Sequence, residues 1–136
     1  MATLVWTDGY ITINGVDCSN HCRGITLTYN AEMIEDTVFG ATARTKKPGY
    51  KNWNVQAILE QDFAANSVDA TLFPLVGANA FAVAVRPLSA AQNSTNPTFS
   101  GNVVLESYQP LQGGVGELLQ TTVTFQSAGT LTRNAT

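Results

Sequence analysis

The sequence is short of charge. Asp, Glu, Lys and Arg make up 12% of its 136 residues, about half the usual globular share. Ten acids face seven bases, for a net charge of −3. That balance excludes tight general binding to nucleic acid, which needs many cations to displace condensed counterions. Histidine occurs once, at His21, and cysteine twice, at Cys18 and Cys22. The Cys-x-x-His-Cys cluster falls short of the four ligands of a closed zinc site. No run of 18 apolar residues occurs, so no membrane-crossing helix is expected. The opening residues, Met1-Ala2-Thr3-Leu4-Val5-Trp6, lack the basic start and long apolar stretch of a secretion signal. The expectation is a chain folded in a reducing cytoplasm, with Cys18 and Cys22 as free, unliganded thiols.

Enough is left to build a core. Apolar residues make up 44%, which suits one domain over residues 1–136. The dominant period is two, the mark of strands with one buried face. Thr3–Trp6 and Tyr10–Ile13 read as short strands around Thr7-Asp8-Gly9, and Asn14-Gly15 signals a type I′ turn. Arg23–Asn30 alternates, with Ile25, Leu27 and Tyr29 facing one way. Trp53, Val55, Ala57 and Leu59 do the same, as do Leu119, Thr121, Val123 and Phe125. Phe81–Val85, Phe99–Tyr108 and a short piece near Leu131 add further strands. One helix is expected: Ser67 caps it, Asp69 suits its first turn, Val68, Leu72 and Val76 share a face, and Pro74 ends it after about two turns. The period breaks from Glu35 to Lys51, which holds Gly40, Pro48, Gly49 and four of the seven cations. This segment is expected to be a long loop or mobile hairpin. Many short strands, evenly spaced, mean a β-sandwich or barrel-like fold: mainly β, two packed antiparallel sheets, one short flanking helix and a long loop.

The residues offer little chemistry. His21 would be the sole base for a Ser–His–Asp site, with no G-x-S-x-G nucleophile motif to serve; it reads as a surface histidine. Glu60 and Asp62 read as a solvated strand end rather than a glycosidase pair. Gly113-Gly114-Val115-Gly116 precedes a strand, with no Lys-Ser/Thr after it, so it is a turn and no phosphate loop. Trp53 falls in line with core positions. No enzyme, metal or cofactor is expected. The non-core faces of several strands are polar yet nearly uncharged: Thr26 and Thr28, Asn54 and Gln56, then Gln120, Thr122 and Thr124. A monomer more often places Lys and Glu there, to guard its edges.

One order of features points to a family. A strand ends in acids at Thr28-Tyr29-Asn30-Ala31-Glu32-Met33-Ile34-Glu35-Asp36. A Thr-rich, Gly-containing loop follows at Thr37–Arg44. A Pro-Gly and an aromatic strand start come next, Lys47-Pro48-Gly49-Tyr50-Lys51-Asn52-Trp53. The helix follows in Phe63–Phe73, and a Gly-rich bend precedes the last long strand. In this order the chain resembles the major tail tube proteins of long, flexible-tailed bacteriophages, from about Asn14 to Leu131. The resemblance implies a virion protein whose copies form rings, six to a ring, stacked into a hollow tube that delivers DNA. It also implies other tail proteins as partners (terminator, distal tail and tape measure), DNA as non-specific cargo only, no membrane partner, and assembly in the host cytoplasm. Thr26, Thr28, Asn54, Gln56, Gln120, Thr122 and Thr124 would line the channel. Asp36, Phe39, Arg44, Lys46, Lys47 and Tyr50 would form an inter-subunit loop, its basic tip meeting the acids Glu32, Glu35 and Asp36 of the next copy. The rival readings are a capsid decoration protein and, behind it, a carbohydrate-binding module, which would need exposed aromatics on one sheet face.

Overall fold

The structure is a computed structural model and describes residues 6–135. Thr3, Leu4 and Val5 of the expected first strand lie outside the described residues. β1 (Tyr10–Ile13) turns into β2 (Val16–Asp17) through Asn14 and Gly15, at φ of 52° and 82°. Asn and Gly tolerate this left-handed backbone, so the turn forms where the dipeptide stands. A 3-10 turn at Ser19–His21 leads into β3 (Cys22–Glu35), which folds back as β4 (Lys46–Glu60). The helix α1 (Val68–Leu72) runs straight into a 3-10 turn, Phe73–Leu75. β5 (Phe81–Arg86), β6 (Thr98–Tyr108), β7 (Gln120–Ser127) and β8 (Thr132–Asn134) complete the chain.

The strands form one antiparallel ladder in the order β2-β1-β5-β6-β7-β4-β3, with β8 also on β6. The mainly β fold with one short helix is as the sequence implies, but the hydrogen bonding does not break into two sheets. The single sheet buries one face by curling. Ile25 and Leu27 of β3, at one end of the order, share a cleft of about 420 Å³ with Val85 and Arg86 of β5 and with Trp6 and Pro87. Alternation along a strand marks which face is buried, not whether the ladder is interrupted. The enclosed face carries Ile11 and Ile13, Trp53, Val55, Ala57 and Leu59, Val83 and Val85, Val103 and Leu105, and Val123 and Phe125. Phe81 meets Phe125 edge to face, with ring centroids 5.8 Å apart. Val68 and Leu72 of α1 close the core at one end. Each such side chain contributes about 1.5–3 kcal/mol through burial.

The helix differs in detail from its expected form. Ser67 sits at the N-cap with extended backbone, but its hydroxyl makes no capping bond. The Asp69 amide donates instead to the Asp62 carbonyl, at 3.1 Å. Val76 leaves the helical face and bridges to Leu105 of β6.

The larger correction concerns residues 35–51. β3 and β4 continue far beyond the core as a two-stranded arm, with Met33 opposite Pro48, Ile34 opposite Lys47 and Glu35 opposite Lys46. The long loop shrinks to residues 36–45. Pro48 is tolerated because β4 gains its second neighbour, β7, only from Asn54 onward; the missing amide falls on an open edge. A bulge between Ala31 and Met33 separates arm from body.

Candidate functional site: a polar sheet face and a projecting arm

Residues directly opposite in an antiparallel pair lie on the same face of the sheet. The register therefore decides what the uncharged polar residues build. Thr26 of β3 stands opposite Gln56 of β4, which stands opposite Thr124 of β7, which stands opposite Ser107 of β6. The next row is Thr28, Asn54, Gln126 and Val104. On the other side come Gly24, Ile58 and Thr122, then Glu60 and Gln120. All seven residues that the sequence assigned to a channel face thus share one surface. The register adds Ile58, Val104, Ser107 and Gln126. The opposite faces of the same strands hold Val55, Ala57, Leu59, Thr121, Val123 and Phe125, all buried.

This surface lies outside the core. Thr26, Thr28 and Gln56 are exposed, while Asn54, Gln120, Thr122 and Thr124 are half-buried among their own neighbours. The Thr122 hydroxyl donates to Gln112 Oε1 at 3.0 Å, and Gln126 donates to Glu106 at 2.8 Å. Arg23, at the margin, donates to Gln120 Oε1 at 3.1 Å. Two backbone edges flank the surface. Among the described residues, β3 ends the strand order and pairs with β4 alone. On β6, the β5 ladder stops at Val103, so among the described residues Val104–Tyr108 has β7 on one side and the Val76 bridge alone on the other.

The arm gathers the expected inter-subunit residues at one end of these strands. Phe39 is fully exposed and Val38, Met33, Ile34 and Tyr50 are largely so. The acids and bases do not wait for a neighbour. Arg44 pairs with Glu35 at 3.4 Å and Lys47 with Asp36 at 3.3 Å, within one arm. The Thr45 hydroxyl donates to Asp36 at 2.6 Å, and the Thr45 amide donates to Thr37 Oγ1 at 2.9 Å. Two of the cations thus have partners within the arm itself, while Lys46 and Lys51 form no ion pair among the described residues.

The far end of the strands carries a second group that the sequence reading left out. Gln61 ties the β6–β7 connection to the end of β4: its amide donates to the Leu119 carbonyl at 3.1 Å, and its Nε2 to the Pro110 carbonyl at 2.7 Å. Phe63, Leu111, Val115 and Leu118 are exposed around this junction. The only sequence signal was the presence of Leu and Val among turn glycines. Nearby, Tyr108 donates to Asp69 at 2.7 Å; burial and that carboxylate push the phenol up to about 12.

The titratable groups with perturbed surroundings serve structural contacts among the described residues. His21 Nε2 lies 3.0 Å from Asp62 Oδ2, joining the turn before β3 to the segment after β4. The Asp62 carboxyl is held below its ordinary range, first by the Ala64 amide, then by the Ser67 hydroxyl, with His21 adding to both. Cys18 and Cys22 are free thiols. Burial pushes Cys18 up to about 11, with Asp17 and Cys22 adding, so it stays protonated at neutral pH. Cys18 belongs to the core, at 3% exposure, while Cys22 is half-buried against it.

No protein-family model and no curated protein matches this sequence. Solved structures do. A chain of the virion of a native gene transfer agent particle superposes with a TM-score of 0.75, at 15% identity, over 98% of this chain and 100% of that one. The tail tube of SPP1 gives a TM-score of 0.75 at 10% identity, over 98% of this chain and 80% of that one. A chain of the sheath–tube complex of the extracellular contractile injection system PVC gives 0.70 at 10% identity, over 98% and 93%. The chain has the fold found in phage tail tubes and related injection-system assemblies.

Proposed function

We propose that this chain is the repeating structural subunit of a virion tail tube, with copies closed into rings, six to a ring, and the rings stacked. One observation carries the reading: the register of β3, β4, β7 and β6 assembles an uncharged polar surface with, among the described residues, an open strand edge on each side. Open edges are templates for pairing with another chain, and closing a sheet into a barrel removes them. Pairing β3 of one copy with Val104–Tyr108 of the next joins the polar surfaces into one continuous inner wall. Such a wall lets DNA slide, since phosphate retention depends on cations; the residues in register on this surface include Glu60 but no lysine, and Glu106 is held beside it by Gln126. The role is structural and non-enzymatic. The expected partners are other copies, the terminator, distal tail and tape measure proteins, and DNA as passing cargo, with assembly in the host cytoplasm. Negative-stain microscopy of the purified protein tests this. Hollow stacked rings are expected. Monomers or trimers without tubes, under any salt condition, would overturn the reading in favour of a shell-decorating protein.

A further inference from the structure

The two exposed apolar groups sit at opposite ends of the same strands. β3 runs from Cys22, beside the Gln61 junction, to Glu35 in the arm, and β4 runs back from Lys46 to Glu60. Val38 and Phe39 therefore mark one end of the subunit, and Phe63, Leu111, Val115 and Leu118 the other. Charge divides the same way. The arm holds Arg44, Lys46 and Lys47, with Lys51 at its base opposite Ala31, and Lys46 and Lys51 form no ion pair among the described residues. The far end holds Glu60, Asp62, Asp69 and Glu117, and no Lys or Arg occurs from residue 52 to residue 85 or from residue 87 to residue 132. Arg23, the cation near that end, is held by Gln120.

From this we infer that the arm tip of one copy docks on the far-end rim of a copy in the next ring: Phe39 enters the apolar rim formed by Phe63, Leu111 and Leu118, and Lys46 faces Glu117. The inference rests on the tube reading and supplies the surface that receives the arm. Two complementary patches at opposite ends of one subunit make a heterologous contact, which repeats without closing and so extends a stack. A tip-to-tip contact would instead stop at two rings. The arm is ready for this role before assembly, because its own acids already hold Arg44 and Lys47. The rim acids, by contrast, lack lysine or arginine partners among the described residues.

Two variants test the pairing. Phe39→Asp spoils the tip and leaves the rim sound; Leu118→Asp spoils the rim and leaves the tip sound. Both side chains are exposed, so unchanged far-UV circular dichroism melts are expected. Each variant alone should give rings that do not stack. Mixing preformed rings of the two should give paired rings and nothing longer, since only one tip–rim contact is intact in the pair. Lys46→Glu should shorten tubes at low salt, and Lys46→Glu with Glu117→Lys should restore them. The inference is overturned if either aspartate variant forms long tubes like the parent, if Leu118→Asp pairs by itself, or if the mixture does not pair. A parent protein that forms no rings or tubes at all overturns the tube reading itself, and the inference with it.

Discussion

Gly101 is where β6 passes under the Trp53 indole, and an added methyl there has nowhere to go. An ideal Cβ at Gly101 lies 2.5 Å from Trp53 Cζ2, 3.0 Å from Cη2 and 2.9 Å from the Thr130 carbonyl oxygen. Trp53 is 3% exposed and its Nε1 donates to the Gly129 carbonyl at 2.9 Å. The ring cannot retreat outward without giving up that bond, and the Thr130 backbone blocks the other side. Overpacking a closed core costs about 1–3 kcal/mol, and loss of the indole hydrogen bond adds roughly 0.5–1.5 kcal/mol. Gly101→Ala should therefore destabilise the subunit by about 2–4 kcal/mol, or roughly 8–16 °C in Tm at about 4 °C per kcal/mol for a domain of this size. The measurement is a thermal melt of unassembled subunit. Trp53 fluorescence should shift to the red as the indole is displaced, a change to be read against the half-exposed Trp6. A Tm within about 2 °C of the parent, with unshifted emission, would refute the claim that the indole is locked between β6 and the β7–β8 turn.

Other outcomes follow from the same structure. Thr122→Lys with Thr124→Lys should keep the fold, since both side chains lie off the core face, yet slow DNA release from tubes at low salt. The log–log salt dependence should steepen by about 0.9 for each phosphate contacted, and release as fast as the parent's would remove these residues from the wall. Asp62→Asn should reveal the pH linkage of its depressed carboxyl. The stability that Asp62 contributes is complete above the ordinary aspartate value and is lost as pH falls through its lower folded value. The Tm gap between parent and variant should be widest near neutral pH and close below pH ~4; a gap that widens on acidification would contradict the assignment. Cys18→Ser buries a hydroxyl in the core and should cost about 1–3 kcal/mol, while Cys22→Ser should stay under about 1 kcal/mol; equal Tm losses would show that burial does not separate the two thiols.

The strands that touch the core were legible because one face of each is buried. Val123 and Phe125 alternate with Thr122 and Thr124, and the structure buries the first pair and not the second. The arm was not legible, for the same physical reason. Beyond the bulge at Ala31 neither face of β3 or β4 meets a core, so Met33, Ile34, Lys46 and Lys47 carry no period of two. Pro48 and Gly49, ordinary loop signals, sit in a ladder whose outer edge is open. The polar residues of the site could be chosen by pattern, but their assembly into rows could not. Placing Thr26 beside Gln56 and Thr124 needs two registers, β3 on β4 and β4 on β7, between residues far apart in sequence. The Gln61 junction, which creates the second apolar group, joins residues almost fifty apart in sequence, Gln61 and Pro110, and no local signal announces it. The pairing of His21 with Asp62 was hidden likewise.

The bulge between Ala31 and Met33 gives β3 and β4 a mechanical division of labour. From Thr26 to Ala31 the pairing with β4 is unbroken, and it resumes only past the irregularity. A bulge bends its strand, disrupts the ladder locally and increases the twist there. The disrupted ladder at Ala31–Met33 therefore sets the direction of the arm apart from the unbroken rows that contain Thr26 and Thr28. In the proposed tube this would separate curvature from calibre: contacts made by the arm could tilt as the filament bends, while the rows of the proposed wall keep their spacing.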